Sequence, residues 1–121
     1  MKDCIFCKII NKEIESKTIY EDNDLIVILD VNPDSNGHML VIPKKHYVDF
    51  TEIDDETLIK INKVANNMKD LIYKKLRAHG IKLVNNYGIE QVVKHYHLHI
   101  IPCYENINEL RDIESIYKIL K

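Results

Sequence analysis

Three histidines alternate with large apolar residues in His95-Tyr96-His97-Leu98-His99-Ile100-Ile101-Pro102. Such alternation is the period of a strand with one buried face. A strand over about 95–101 is therefore predicted, with Tyr96, Leu98 and Ile100 pointing into a core and His95, His97 and His99 sharing the opposite face. Same-face neighbours on a strand lie roughly 6–7 Å apart, so the pattern makes a row of imidazoles. Imidazole changes charge near neutral pH and serves as nucleophile, acid, base or metal ligand. Three in register exceed what packing needs, and the segment reads as an active or binding site.

A second chemical signal is Cys4-Ile5-Phe6-Cys7. Two thiolates at this spacing make half of a tetrahedral zinc site, and closure needs two more ligands. No tight His-x3–5-His pair follows a short distance on, so the zinc-finger reading falls away; His38, His46, His79, His95, His97 and His99 are the available donors. Two thiolates and two neutral imidazoles would balance the charge of Zn2+. A chance pair in a core helix and a thiol redox couple stay open beside this, although a redox couple normally follows a strand. A third signal combines the triad with Asp30 and the Asn85-Asn86 turn. Nucleotide pockets need apolar walls, a carboxylate for ribose hydroxyls and donors for phosphate oxygens. Asp30 ends the apolar run Leu25-Ile26-Val27-Ile28-Leu29, where pockets open, but alone it reads equally well as a turn residue. No Gly-rich phosphate loop is present.

The elements that must position these groups follow from patterning. Cys4 to Ile10 predicts a short helical turn ending near Asn11. Thr18–Glu21 and Leu25–Asp30 predict a hairpin around Asp22-Asn23-Asp24. Asn32 to Gly37 is a loop, and His38 to Pro43 a third strand. Leu58, Ile61, Val64/Ala65, Met68, Leu71/Ile72 and Leu76 recur at helical spacing behind the acidic start Asp54-Asp55-Glu56. Gly80 is the expected stop of that helix. Ile81–Asn85 and the histidine strand bring the count to five, and a terminal helix is expected within Glu105–Lys121. This order predicts an α+β fold with a mainly antiparallel sheet, its strand order and register left open.

The chain has 121 residues, 45% of them hydrophobic and 30% charged, with a formal net charge of −2. One domain over residues 1–121 is expected. The balance offers no basic nucleic-acid surface. No apolar run approaches a membrane span, and Met1-Lys2-Asp3-Cys4 leads into no secretory h-region. A cytoplasmic location is expected, where the three cysteines would be reduced.

With these residues in view, the chain resembles the histidine triad superfamily, whose signature is His-φ-His-φ-His-φ-φ. Cys4 to Ile10 with Glu13-Ile14, Tyr20-Glu21-Asp22, Leu29 to Pro33, Gly37 to His46, and Gln91 with Val93 resemble further blocks in the same order, spanning about residues 4–102. The resemblance implies a five-stranded antiparallel sheet with one long helix and short terminal helices, pairing into a ten-stranded homodimer. It implies hydrolysis or transfer at the α-phosphorus of a purine nucleotide conjugate, a phosphoramidate or a dinucleoside polyphosphate. His97 would be the nucleophile, His99 would assist at the phosphate and leaving group, and His95 would complete the triad. Asp30 would bind the ribose, and Ile5, Phe6, Ile9 and Val31 would wall the base. Asn86 would orient the phosphate, with Gln91 and a supporting His38 beside it. In relatives opening with Cys-x2-Cys, a structural zinc is closed by two histidines that correspond here to His46 and His95, giving Cys4, Cys7, His46 and His95.

Departures from the family pattern concern the leaving-group side. The turn before Gln91 is short, with Glu90 where glycine is common, and Val92 stands where some phosphoramidases carry serine. The tail from Glu105 to Lys121 also differs from the short tails of the best-known branch, so acceptor preference does not carry over. Two other classes stay in play. One is a zinc hydrolase with His95, His97 and a further histidine on a catalytic metal; the other is a nucleotide-binding scaffold with vestigial activity.

Overall fold

A computed structural model describes residues 3–121; Met1 and Lys2, where a leader would begin, lie outside them. The chain runs through α1 (Ile5–Ile10), β1 (Thr18–Glu21), β2 (Leu25–Leu29), β3 (Met39–Pro43) and α2 (Asp55–Leu76). It continues through β4 (Gly80–Val84), a 3-10 turn at Gly88–Glu90, β5 (Leu98–Cys103) and α3 (Ile113–Leu120). All strand pairings are antiparallel, in the order β1-β2-β3-β5-β4. This is the α+β, five-stranded architecture expected.

The β1–β2 hairpin closes because Asp22 acts as a local backbone acceptor. Its Oδ1 takes the N–H groups of Asp24 and Leu25, each at 2.8 Å. The uninterrupted apolar run of β2 reflects burial on both faces. Leu25, Val27 and Leu29 join Met39, Val41 and Ile100 under α2, whereas Ile26 and Ile28 join Leu40 and Ile42 under Phe6 and Ile9 of α1. Register carries the second face to the triad. Ile28 opposes Leu40 and Leu40 opposes His99, and opposed residues of an antiparallel pair share a face. His99 therefore lies on the α1 side of the sheet.

The long helix starts where the acidic residues predict, with Asp54 as N-cap accepting from Thr57 N–H at 3.0 Å. Ile61, Val64, Ala65, Met68 and Ile72 form its buried stripe. Its end corrects the sequence expectation. Arg77, not Gly80, takes the left-handed C-cap at φ 59, while Gly80 begins β4. The chain turns early because Ala78 is buried and His79 N–H already donates to Cys103 O at 2.8 Å.

Two other boundaries shift. The ladder of β5 begins at Leu98, not His95, although Tyr96 and Ile100 keep the predicted inward direction. Tyr96 N–H donates to Tyr47 O at 2.7 Å, outside the sheet, so a bond to Tyr47 stands there in place of the ladder. In the tail, only Ile113–Leu120 is helical. Ile107 and Leu110 are exposed, and the preceding stretch is held by the buried Asn36. Its amide nitrogen donates to Asn108 Oδ1 and, at 2.8 Å, to Glu109 O, while its Oδ1 accepts from Arg111 N–H at 2.8 Å. Gly37 beside it sits at φ +91, with Leu76 Cδ1 where a Cβ would be. Only glycine fits that corner.

Candidate active site and metal cluster

Three segments converge on the α1 face of the sheet. The end of β2 carries Asp30, the segment after β4 carries Asn86, and the chain entering β5 carries the histidines. Between them and α1 opens a cleft of about 470 Å³. Of the residues picked out in the sequence, Ile5, Phe6, Ile9, Asp30, Val31, Asn86, His97 and His99 line it. Val31 is 74% exposed at its mouth, an apolar wall without a covering partner. Ile14, Glu15, Ser16, Lys17, Ile28, Leu40, Glu90, Val92 and Val93 also line the cleft. Of the 14–17 stretch only Ile14 falls in a block singled out in the sequence; Glu15, Ser16 and Lys17 carry no motif.

Three of the picked residues stand off the cleft wall. Gln91 is buried, its amide nitrogen donating to Val48 O at 2.6 Å and Val93 O at 3.1 Å. His38 lies behind His99, and His95 turns toward the cysteines.

The hydrogen-bond network assigns the tautomers. His97 Nδ1 lies 2.8 Å from His95 O. A carbonyl only accepts, so Nδ1 holds the proton and Nε2 keeps its lone pair. Phe6 packs edge-on against the same ring, centroids 4.9 Å apart. The His99 tautomer follows from a longer chain. Asp34 N–H donates to His38 Nδ1 at 2.9 Å, which leaves the His38 proton on Nε2. That proton faces His99 Nδ1 at 2.9 Å, so His99 carries its own on Nε2. One imidazole thus keeps a lone pair and the next a donor. Burial lowers the pKa of His38, His97 and His99 below the ordinary histidine range and takes His95 down to about 4. All four are neutral at pH 7.

On the outer side of His95, Cys4, Cys7, His46 and His95 form a four-donor cluster. His95 Nδ1 lies 3.3 Å from Cys4 Sγ, 3.6 Å from Cys7 Sγ and 3.0 Å from His46 Nδ1; Cys7 Sγ lies 3.2 Å from His46 Nδ1. Tetrahedral zinc with bonds of about 2.0–2.3 Å needs ligand atoms about 3.3–3.8 Å apart, so the donors nearly stand at ligand spacing. The tautomer agrees as well. His95 Nε2 donates to Pro43 O at 2.8 Å, turning the Nδ1 lone pair toward the thiols. Burial and the neighbouring Cys4 raise the Cys7 thiol, so an ion there must displace its proton. The donor set fits zinc.

Among the described residues the other metal-sized cluster is Asp30, His38 and His99. It fits poorly, because the free His38 lone pair already accepts from Asp34. His97 belongs to neither cluster. The triad therefore does not converge on one ion, contrary to a catalytic metal held by His95 and His97. Among the described residues no helix is long and apolar enough to cross a membrane.

Comparison with known proteins places this geometry in context. The family model of the HIT domain matches residues 11–106. An uncharacterised HIT-like protein of Methanocaldococcus jannaschii is 47% identical over 109 residues, covering 88% of this chain and 84% of that protein. The adenylylsulfatase HINT3 of Arabidopsis thaliana is 38% identical over 102 residues, covering 83% of this chain and 52% of that protein. Among solved structures, a zinc-bound histidine triad family protein from Mycobacterium smegmatis superposes with a TM-score of 0.90 at 32% identity, covering 98% of this chain and 91% of that one.

Proposed function

The chain belongs to the HIT domain family, and on that premise we propose that it cleaves nucleotide conjugates at the α-phosphorus through a nucleotidyl-His97 intermediate. The observation that carries this reading is the bond from His97 Nδ1 to His95 O, which leaves Nε2 as a neutral nucleophile in the cleft. His97 Nε2 forms a bond to phosphorus while the bond to the leaving group breaks. The departing amine or phosphate takes that electron pair, and an amine also takes up a proton. Water then cleaves the N–P bond, releasing the nucleoside monophosphate and restoring His97. Covalent capture divides one displacement into two easier ones.

The other residues act by holding. His99 donates from Nε2 to the phosphate oxygens and the departing atom. Asp30, whose Oδ1 accepts Asn32 N–H at 2.9 Å, presents its carboxylate to the ribose hydroxyls. Asn86 orients the phosphate, and Ile5, Phe6, Ile9 and Val31 sandwich a purine base. His38 fixes the His99 tautomer, and Gln91 braces the turn that carries Asn86. The adenylylsulfatase activity named for the Arabidopsis relative supports attack at an adenylyl phosphorus.

Zinc is assigned to Cys4, Cys7, His46 and His95, in keeping with the zinc-bound relative. Four protein ligands leave no open position, so the ion supplies cross-linking and no chemistry at phosphorus. It ties α1 to the end of β3 and to the backbone that orients His97. A reducing cytoplasm suits these free thiols. A second copy adds its β4 to the open β4 edge, where Leu83 is exposed, completing a ten-stranded homodimer.

The test is AMP release from adenosine 5′-phosphoramidate by wild type and His97→Ala, with mass spectrometry of the acid-quenched protein. Wild type should release AMP and carry an adenylyl adduct, and the variant should do neither. Undiminished turnover in His97→Ala would sink the assigned nucleophile, and complete abolition of turnover on chelation, beyond the partial loss that an emptied structural site produces, would restore the catalytic-metal reading.

A further inference from the structure

We infer that Glu90 makes the cleft read the charge of the leaving group, favouring nucleotide conjugates whose departing amine carries an additional ammonium and disfavouring polyphosphates. This rests on the hydrolase reading above and narrows its substrate class. Four fully charged side chains line the cleft: Glu15, Asp30, Glu90 and Lys17. The one cation among them is already paired, Lys17 Nζ lying 2.6 Å from Glu114 outside the cleft. A pocket for phosphates thus presents three carboxylates and no free cation among the described residues.

Position separates the three carboxylates. Glu15 stands with Ile9, Ile14 and Val31 at the base end, and Asp30 faces the ribose. Glu90 shares its segment with Asn86, and that segment is fastened to the nucleophile by Asn85 Nδ2 donating to His97 O at 3.0 Å. The loop is also held in shape. Gln91 N–H donates to Gly88 O at 3.0 Å, and Lys94 Nζ donates to Gly88 O and Gln91 O at 2.7 Å each. Lys94, the neighbouring cation, is spent on these carbonyls, and Glu90 has no ion pair within 4.0 Å among the described residues.

A leaving group of two or more phosphates brings its charges to this end without a cation to meet them. A leaving group with a distal ammonium meets Glu90. Unit charges about 8 Å apart, at effective dielectric constants between about 20 and 80, change binding roughly twofold to thirtyfold. The preference weakens as salt screens it.

The test uses three AMP phosphoramidates of matched length, made from ethylenediamine, propylamine and β-alanine, on wild type, Glu90→Gln and Glu90→Lys. Each kcat/KM is expressed relative to the propylamine conjugate on the same protein. Wild type should rank cationic above neutral above anionic, each step about twofold or more. Glu90→Gln should compress the range, Glu90→Lys should invert it, and about 0.5 M salt should flatten it in wild type. An identical ranking in all three proteins overturns the inference while leaving the hydrolase reading intact. If no conjugate releases AMP, the hydrolase reading falls, and affinities of the same series by calorimetry decide the charge preference.

Discussion

His95 holds His97 with its backbone and faces the cysteines with its ring. Its carbonyl oxygen lies 2.8 Å from His97 Nδ1, and its own Nδ1 lies 3.3 Å from Cys4 Sγ. One buried residue therefore sits in both the candidate metal cluster and the tautomer control of the candidate nucleophile. Any freedom at the cluster is transmitted to His97 through three bonded backbone units.

Removing one thiolate tests that link. Wild type should contain stoichiometric zinc by metal analysis, and Cys4→Ser should be largely empty with a lower melting temperature. Its turnover should drop by roughly ten- to a hundredfold, the scale of lost metal-site support, without disappearing. Equally empty wild type and variant would remove zinc from the account.

The relay from Asp34 through His38 to His99 makes a sharper prediction. His38→Ala removes the hydrogen bonds to Asp34 N–H and to the half-buried His99 Nδ1, two bonds together worth about 1–3 kcal/mol in stability. It also frees His99 to move its proton to Nδ1, toward Asp30 Oδ2 at 4.0 Å. Turnover should fall about a hundredfold, the scale of a lost general acid–base group. Nitrogen-15 spectra should show His99 as the Nε2–H tautomer in wild type and mixed in the variant. An unchanged His99 spectrum would refute the relay.

Much of this site was legible because period and spacing are local properties. The alternation in His95–Ile101 gave the correct faces, and the apolar run Leu25–Leu29 the strand that leads to Asp30. What escaped depends on partners distant in the chain. The His95–His97 segment bonds to Tyr47 and not to a ladder, a pairing that no local pattern encodes. Ile107 and Leu110 keep a helical period yet stay exposed, because Asn36 captures the backbone around them. In sequence, Asn36 looks like any residue of its loop. The 15–17 wall of the cleft has no signature, since its members matter by where α1 and β1 leave them.

Protonation should weaken the fold from a definite pH downward. Burial keeps the folded pKa of His38 and His99 below the ordinary value near 6.5. Below that value the unfolded chain binds more protons than the folded one, so stability falls as pH drops. Above it, these groups contribute no slope. Melting temperature should be flat from about pH 8 to 7 and decline below about 6.5, on through the lowered folded values. His38→Asn should show a shallower decline. A melting temperature independent of pH down to 5 would contradict the buried neutral histidines.

Asn36 joins the loop after β2 to the tail, and its removal should release one from the other. The residue is 5% exposed and its side chain makes three bonds to residues 108–111, while its backbone carbonyl accepts Tyr104 OH at 2.7 Å. Asn36→Ala removes the bonds to Arg111 N–H and Glu109 O, for about 1–2 kcal/mol. Because α3 keeps Ile116 and Leu120 in the core, the break should stay confined to residues 105–112. Limited proteolysis should cut there first in the variant, and hydrogen exchange should rise there while α2 stays protected. The same loop carries Asp34 and leads from Asp30 to His38, so KM for a nucleotide conjugate should rise along with tail mobility. Cleavage elsewhere, or an unaltered KM, would mean that the tail rides on the fold without bearing on the site.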